Sequence, residues 1–503
     1  MMPDNILTIL VFLPAVAGLS VLFARDERLC RLLTLITTAV EFAVVSLLFY
    51  TVSKTPMPPS GWMLRIDSPW IGAFGIRYSL GLDGISLLLV ALSAFLFLLS
   101  VVVSWRAIKA RVPLFHSMLL VMETGVLGVF LSTDLFLFYL FWEVMLIPMY
   151  FLIGIWGHGR RVYSALKFFI FTFTGSLFML LSIIGVYIYH GSQTGDYTFA
   201  LERLAGTPVP YGVSLWLFAG FLLGFAVKVP VFPIHTWLPD AHTDAPTAGS
   251  VILAGLLLKT GTYGLLRFAF PLFPQAAAAF LPLLFTLAVT GIFYASWVAF
   301  AQKDMKRLVA YSSVSHLAYV VLGIAAWNEV SLAGSVLQMV NHGISTGALF
   351  IMVGMLDERA HTREIASFGG LWSKAPALSA FFLLFILSSL GLPGLNNFSG
   401  EFLILVGLFR SHPWLAAAGF AGLVFALAYL LRLAQRLLFG PEGPSTMYGF
   451  KDIGGRELAV LVPLAVLVIW IGVYPSFFLR GLSGPVGSLV SGVRTAWVIG
   501  GTP

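Results

Sequence analysis

Long apolar runs separated by short polar breaks make up most of the chain. The runs last about 18–25 residues, which is the length that a helix needs to cross the hydrocarbon core of a bilayer. The strands of a membrane barrel would instead alternate apolar and polar residues over about ten residues. Lipid-exposed backbone must satisfy its own hydrogen bonds, so only helices and closed barrels span a membrane. The pattern therefore predicts an all-α polytopic membrane protein.

The apolar runs predict about fourteen transmembrane helices. They lie near residues 5–24, 30–50, 82–104, 114–132, 134–156, 165–189, 211–229, 247–270, 277–300, 306–325, 332–356, 375–391, 400–438 and 458–479. The run at 400–438 is too long for one helix, and His412-Pro413 interrupts it. Because a helix usually ends before a proline, residues 400–411 are predicted to form a half-helix that belongs to the twelfth span.

The distribution of lysine and arginine predicts the orientation of these helices. Of the 29 basic residues, 19 lie in loops after odd-numbered spans, while 8 lie in the even-numbered loops and the C-terminal tail. Cytoplasmic loops carry the excess of basic residues, so the odd loops are expected in the cytoplasm and both termini outside. The longest loop, residues 51–81, carries Pro56, Pro58, Pro59 and Trp70 and is predicted to form an ordered external cap.

Composition narrows the function classes further. The chain has 503 residues, of which 59% are hydrophobic and 10% are charged, whereas soluble domains are about 25% charged. The single cysteine, Cys30, cannot form an intrachain disulfide or hold an iron–sulfur cluster alone. No GxGxxG or Walker loop is present. The basic residues are dispersed among short loops, which argues against nucleic acid as a partner. We expect the lipid bilayer as a partner and, because the cofactor-binding motifs are lacking, no cofactor in this chain.

Ionisable residues inside the apolar runs are the main functional signal. A charge at bilayer depth costs a few kcal/mol, and such residues usually mark ion or proton paths. Lysine, glutamate and histidine can exchange a proton when buried, whereas arginine cannot. The pattern predicts a proton-transfer chain in the middle of the membrane. Its candidate members are Glu143, Lys228, Lys259, His316, His342 and Glu401, with Glu123 as a weaker candidate.

Each candidate also has a structural alternative. A lone intramembrane histidine is often a hydrogen-bonded helix contact. Glu401 can simply favour the dipole at the start of a half-helix, and Glu41 can be structural. Glu143 and Lys228 are harder to explain in this way.

Prolines and glycines next to two candidates predict broken helices 7 and 12. Pro230 and Pro233 follow Lys228, and the segment GLPGLNNFSG precedes Glu401. Broken helices in two corresponding halves of a transporter indicate a transport site.

The spacing of the candidates suggests two inverted five-helix repeats. Glu143 and Lys228 are 85 residues apart, His316 and Glu401 are also 85 apart, and the two pairs are offset by 173. An odd number of helices inverts the second repeat relative to the first. The chain then divides into N-terminal helices with the external loop (1–113), a first repeat (114–270), a second repeat (277–438), and a last helix with its tail (439–503).

The segment between the two lysines carries His235, Asp240, His242 and Asp244. Their spacing on a proline-broken segment is not a recognised metal-ligand pattern, and cysteines are lacking. We therefore expect His235 and His242 to line a polar loop and predict no metal site.

Several stretches resemble the antiporter-like membrane subunits of respiratory complex I, and among them the M-type. They are FYLFWEVMLIPMYFLIGIWG, KVPVFPIHTWLPDAHTDAPTAGSVILAGLLLKTGTYGLLRF, KRLVAYSSVSHLAYV, NHGISTGALFIMVGMLDERAHTREI and GLPGLNNFSGEFLIL. They cover predicted spans 5 to 12 in family order. Outside these spans the chain carries little of the family pattern.

The resemblance implies roles for individual residues. In this family Glu143 would pair with Lys228, while Lys259, His316 and His342 would continue the proton path. Glu401 matches the M-type, because the L- and N-type relatives carry a lysine there. The implied function is proton pumping in a bacterial inner membrane. FMN, iron–sulfur clusters and quinone would lie in partner subunits, and L- and N-type subunits would be membrane neighbours.

Two other functions stay open on the sequence alone. One is a subunit of a multi-subunit sodium/proton antiporter, which shares the repeat and the glutamate–lysine pair. The other is a membrane scaffold without transport activity. The segment LPDAHTDAPTAGS and Glu401 favour the complex I relationship.

Overall fold

The computed structural model describes residues 5–52, 58, 61–446 and 450–499. Of the prolines in the predicted external cap, Pro56 and Pro59 lie outside the described residues. The described helices, in chain order, are Ile6–Leu22, Glu27–Val52, Gly84–Ala107, Val112–Leu131, Leu135–Trp156, Arg161–Thr194, Leu201–Leu204, Tyr211–Lys228, Trp237–Asp244, Thr247–Leu272, Pro274–Ala301, Met305–Ala325, Glu329–Ala360, Leu371–Lys374, Pro376–Ser389, Asn396–Ser411, Pro413–Phe439, Gly455–Val473, Ser476–Leu479 and Ser483–Ile499.

Within the described part of the chain, 12 helices are long and apolar enough to cross a bilayer. Two shorter apolar helices, Ile6–Leu22 and Pro376–Ser389, coincide with the predicted first and twelfth spans. The helical, polytopic membrane architecture is therefore confirmed, while the number of fourteen spans stays a prediction. The helices Thr247–Leu272 and Glu329–Ala360 lie at the centre of the bundle and are buried almost throughout.

Both predicted helix breaks are present. The first helix half ends at Lys228, and regular helix resumes at Trp237. The indole Nε1 of Trp237 donates a 2.9 Å hydrogen bond to the carbonyl of Val227, which the break leaves without a helical partner. Such replacement bonds allow irregular backbone at membrane depth.

In the second break, helix ends at Ser389 and resumes at Asn396. The side chain of Asn341 donates to the carbonyl of Asn396 at 2.7 Å, and Asn396 donates to the carbonyl of Asn341 at 3.1 Å. This reciprocal pair joins the helix Glu329–Ala360 to the start of the second half-helix. It therefore fixes the position of Glu401, one and a half turns further on.

The loop between the second and third helices contains a β-hairpin that the hydrophobic pattern did not predict. Strand β1 (Leu64–Ile71) pairs antiparallel with strand β2 (Ile76–Leu82), with Leu64 opposite Leu82 and a bulge between Pro69 and Ile71. Gly75 has a φ of 66°, which a glycine adopts without steric cost and which closes the turn. The loop is thus ordered over the hairpin.

A buried ion pair connects the end of the hairpin to the helix Thr247–Leu272. One carboxylate oxygen of Asp83 accepts hydrogen bonds from the backbone of Ile85 and Ser86, which caps the helix Gly84–Ala107. The other oxygen pairs with the guanidinium of Arg267. Both side chains are buried, so this pair replaces lost solvation at the end of the bundle.

Two matching bridges support the predicted internal repeat. Asp134 caps the helix Leu135–Trp156 and forms an isolated β-bridge with Ala200. Asp304 caps the helix Met305–Ala325 and forms the same kind of bridge with Glu364. The two aspartates therefore begin corresponding helices in the two halves. The boundaries of the four predicted segments stay a prediction.

We predict that Asp83→Ala destabilises the protein strongly. Removing one partner of a buried ion pair costs about 3–5 kcal/mol, because the other charge is left buried and unpaired. The matched control is Asp196→Ala, which breaks the exposed Arg203–Asp196 pair, worth at most about 1 kcal/mol. Thermal unfolding in detergent measures both variants. Equal losses in the two would contradict a special role for the buried pair.

Candidate functional site

Four predicted residues meet at the centre of the bundle. Lys259, His316, His342 and Glu401 are each no more than 1% exposed. They come from four different helices, Thr247–Leu272, Met305–Ala325, Glu329–Ala360 and Asn396–Ser411. The fold thus brings together residues that lie up to 142 positions apart in the sequence.

The first contact joins a lysine to a histidine. The Nζ atom of Lys259 lies 2.6 Å from Nδ1 of His342 and also donates to the carbonyl oxygen of Ala254. Ala254 belongs to a π-helical turn, Leu253–Leu257, which directly precedes the lysine turn. π-turns inside helices are frequent at functional sites. A single proton between Nζ and Nδ1 can reside on either atom.

The second contact joins a histidine to a glutamate. Nδ1 of His316 lies 2.8 Å from Oε1 of Glu401, and the same oxygen accepts a 3.0 Å hydrogen bond from Gln338 Nε2. The rings of His316 and His342 have centroids 5.8 Å apart. The four residues therefore form one string, Lys259–His342···His316–Glu401, which we call the central string.

Two glycines allow the glutamate its position. A Cβ atom on Gly400 would lie 2.9 Å from Cβ and 3.0 Å from Cα of Gln338, so only glycine permits this approach of the two helices. Gly391 has a φ of 72°, and a Cβ atom there would lie 2.9 Å from Oε2 of Glu401. The sequence signal for both was the glycine-rich break before Glu401.

The predicted Glu143–Lys228 pair is open in this structure. Lys228 is buried at the C-terminal end of its half-helix, where the helix dipole favours a cation. Its Nζ lies 5.2 Å from the ring centroid of Trp142 and 5.8 Å from that of Phe168. Glu143 is half-buried on the neighbouring helix, and no ion pair within 4.0 Å joins it to Lys228. Among the described residues, neither Lys228 Nζ nor Glu143 Oε1 has a hydrogen-bond partner.

The three weaker candidates lie in different places. Glu123 is buried beside Glu41, between the helices Val112–Leu131 and Glu27–Val52, and stands apart from the central string. His235 packs between the rings of Phe232 and Tyr294 in the first helix break.

His242, the third weaker candidate, packs against the helix that also carries His342. Its ring stacks on Phe350 with centroids 4.6 Å apart. Phe350 belongs to the helix Glu329–Ala360, which also carries His342.

Lys306 is a candidate that the sequence did not reveal. The motif KDMKRL resembles an ordinary loop-to-helix boundary, yet Lys306 is only 4% exposed. Its Nζ donates a 2.5 Å hydrogen bond to the carbonyl of Ala245. Burial next to a polar segment, which only tertiary packing creates, distinguishes it from the exposed Lys303.

A charged vestibule opens at the same end of the bundle. It has a volume of about 530 Å³. Its lining residues are His158, Lys303, Asp304, Asp357, His361, Thr362, Arg363 and Glu364. Burial, followed by the charge of Lys306, lowers the pKa of His158, which lies outside the spans. The vestibule therefore brings solvent to Asp304, which lies two residues before Lys306 in the chain.

Among the residues that the structure describes, no three His, Cys, Asp or Glu side chains are grouped to hold a metal ion. Asp240 pairs with Lys167 and Arg307, and Asp244 accepts a hydrogen bond from Ser164. These aspartates therefore connect the broken segment to neighbouring helices.

The two broken helices and the central string define an antiporter-like membrane subunit. A family model described as NADH:quinone oxidoreductase/Mrp antiporter, TM, matches residues 132–426. NADH-quinone oxidoreductase subunit M of Pseudomonas aeruginosa is 46% identical, over 93% of this chain and 94% of that protein.

Solved structures agree with this relationship. A chain in the structure of respiratory complex I from Thermus thermophilus with bound NADH is 34% identical, with a TM-score of 0.87 over 97% of this chain and 100% of that one. The Mrp complex from Dietzia sp. has a chain that is 20% identical, with a TM-score of 0.84 over 98% and 100%, which is a likeness of fold alone. The chain belongs to the family of NADH-quinone oxidoreductase subunit M. The resemblance inferred from the sequence is confirmed.

We predict that Gly391→Ala slows proton translocation roughly tenfold, which corresponds to about 1.4 kcal/mol. The added methyl group would displace the carboxylate of Glu401 from His316. Gly394→Ala is the matched control, because it has the same kind of backbone strain (φ of 92°) with no atom within 4 Å of the new methyl group. Proton uptake by reconstituted vesicles is the measurement. If both variants slow translocation equally, backbone strain rather than Glu401 is responsible.

Proposed function

We propose that this chain translocates protons as a membrane-arm subunit of NADH–quinone oxidoreductase, through its buried lysine, histidine and glutamate side chains. The supporting observation is the central string, in which four titratable groups lie in hydrogen-bond or ring contact at the centre of the bundle. Burying four such groups costs several kcal/mol unless they are paired. Their mutual contacts offset that cost and form a route at the same time.

Proton transfer along the central string needs only side-chain steps. Lys259 passes a proton from Nζ to Nδ1 of His342. His342 then releases a proton from Nε2, which has no partner among the described residues, toward the second ring. His316 in turn passes a proton from Nδ1 to Oε1 of Glu401. The 5.8 Å between the ring centroids makes the histidine-to-histidine transfer the longest step.

The vestibule provides the entry side of this route. A proton taken up in the vestibule passes to Lys306 and then to His242. The charges of Lys306 and Lys259 both act on the ring of His242. On the other side, Oε2 of Glu401 faces the second helix break at Gly391. A proton on Glu401 therefore has a polar, irregular segment through which to leave.

Glu143 and Lys228 control the timing of proton movement. A carboxylate close to a buried lysine stabilises its protonated form, and withdrawal of the carboxylate favours proton release. The open arrangement, with Lys228 held against Trp142 and Phe168, corresponds to the releasing state. Closing the pair would load the lysine again.

The driving chemistry is proposed to lie in partner subunits that hold FMN, iron–sulfur clusters and the quinone site. The only cysteine of this chain, Cys30, is buried in the helix Glu27–Val52, and a cluster needs several thiolates. L- and N-type subunits are the proposed membrane neighbours. The proposed location is a bacterial inner membrane, with both termini on the external side.

Sodium dependence distinguishes the antiporter alternative. A sodium/proton antiporter subunit moves protons in exchange for sodium and needs no electron donor. The proposed function instead requires proton uptake that follows NADH oxidation in sodium-free medium. Co-purification with flavin and iron–sulfur subunits would support the same conclusion.

We predict that Lys259→Ala reduces the rate of proton translocation driven by NADH oxidation about a hundredfold, which is within the range for loss of one positioned acid–base group. The control is Lys109→Ala, which removes an exposed lysine from a loop. Both variants should retain NADH oxidation with an artificial acceptor, which reports assembly. A wild-type rate of proton translocation in an assembled Lys259→Ala complex would refute the proposed route.

We predict that Glu143→Gln abolishes coupled pumping while the peripheral arm, solubilised in detergent, still oxidises NADH. The neutral amide has nearly the same shape but cannot stabilise the protonated Lys228 electrostatically. Acidification of vesicles that contain the variant complex, and NADH oxidation by the same variant in detergent, separate the two activities. Unchanged pumping per electron would show that the Glu143–Lys228 pair does not control the timing.

A further inference from the structure

An apolar groove opens on the flank of the bundle, away from the vestibule. It lies between the helices Glu27–Val52, Gly84–Ala107 and Gly455–Val473, with residues of the central helix Glu329–Ala360 as its floor. Its volume is about 310 Å³. Its walls are rich in aromatic rings, and its floor is formed by Val340 and Ile344.

The groove has the depth of one leaflet of a bilayer. On the first helix its lining extends from Phe42 to Tyr50, which at 1.5 Å per residue is about 12 Å. On the second helix it extends from Leu88 to Phe95, or about 10 Å. Half of the hydrocarbon core is about 15 Å thick. The groove therefore begins near one membrane surface and ends close to the midplane.

The lining excludes water as the occupant. Ser46 is one of the few polar side chains in it, and its hydroxyl already donates a 2.7 Å hydrogen bond to the carbonyl of Phe42. A buried water needs two to four polar partners, which this groove does not offer.

A helix of a partner subunit is the other apolar occupant that a membrane-facing groove can take, and the crosslinking experiment below distinguishes it from a lipid. A single unbranched hydrocarbon chain fits the groove's length of about 10–12 Å.

A cationic group stands at the surface end of the groove. Phe477 and Phe478 line its mouth, and Arg480 follows two residues later. The Nη2 atom of Arg480 donates a 3.0 Å hydrogen bond to the hydroxyl of Tyr474, which holds the exposed guanidinium near the mouth. Within the described part of the chain, no carboxylate forms an ion pair with it. A guanidinium matches the geometry of a phosphate, and tyrosine and tryptophan favour the headgroup level.

We propose that this groove binds one phospholipid, with an acyl chain in the groove and the headgroup phosphate at Arg480. Binding rests on apolar burial, at about 25 cal/mol per Å² of apolar surface, and on one charge-assisted contact. The effect of the bound lipid on proton pumping, given next, rests on the proposed function. Val340 and Ile344 flank His342, and Leu92 packs onto Gly343. The acyl chain thus seals the wall behind the central string.

The test uses the intact complex, purified in mild detergent, and counts phospholipids retained per complex by native mass spectrometry. Ala91→Phe places a ring inside the groove and should remove one tightly held phospholipid. Arg480→Gln should weaken its retention by roughly tenfold, the scale of one charge-assisted hydrogen bond. The matched controls are Val462→Phe, on the lipid-facing side of the helix Gly455–Val473, and Arg494→Ala, an exposed arginine further along the chain. Neither control should change retention.

Equal phospholipid retention in Ala91→Phe and the wild type would overturn the proposal. So would a photo-crosslinker at Ala91 that reacts with a partner subunit rather than with lipid. The lipid count does not depend on NADH oxidation or pumping. A complex that binds the lipid but fails to pump therefore contradicts the proposed function and leaves the lipid site in place.

Discussion

The cost of placing an ionisable group in hydrocarbon controls this structure. Every such group in the bundle must find a partner or give up its charge. The protein uses two solutions. At the end of the bundle, Asp83 and Arg267 form an ion pair that fixes the hairpin to the helix Thr247–Leu272. At the centre, hydrogen bonds join Lys259 to His342 and His316 to Glu401. A proton can move between the two groups in each of these contacts.

The second solution depends on irregular backbone. Two helix breaks and a π-helical turn lie beside the candidate proton-transfer side chains. The side chains of Trp237, Asn341 and Asn396 bond carbonyls at or near these irregularities. Glycines at 391 and 400 provide the space in which Glu401 reaches His316 and Gln338. Backbone strain and polar burial therefore occur together, at the place where the proposed proton transfer requires both.

The two halves of the molecule are in different states. The second half has a closed contact between His316 and Glu401, whereas the first half holds Lys228 away from Glu143, against aromatic rings. A pump needs its sites to be loaded and released at different times. One closed pair and one open pair match the timing that the proposed proton transfer requires. The fold is shared with a chain of the Mrp complex, so the fold alone does not select the driving reaction.

The sequence by itself determined the membrane class, the position of most helices, both helix breaks and the identity of the four titratable residues that meet at the centre. It did so because hydrophobic length, proline and glycine act locally, and because an ionisable residue in an apolar run stands out without reference to its neighbours. Only the tertiary structure decided which of these residues touch. Lys259 meets His342 across 83 positions, Lys306 becomes buried, and Glu123 is left beside Glu41. The sequence pattern did not predict the hairpin. Its strands are stabilised by cross-strand pairing and by Asp83, and no local pattern encodes such contacts.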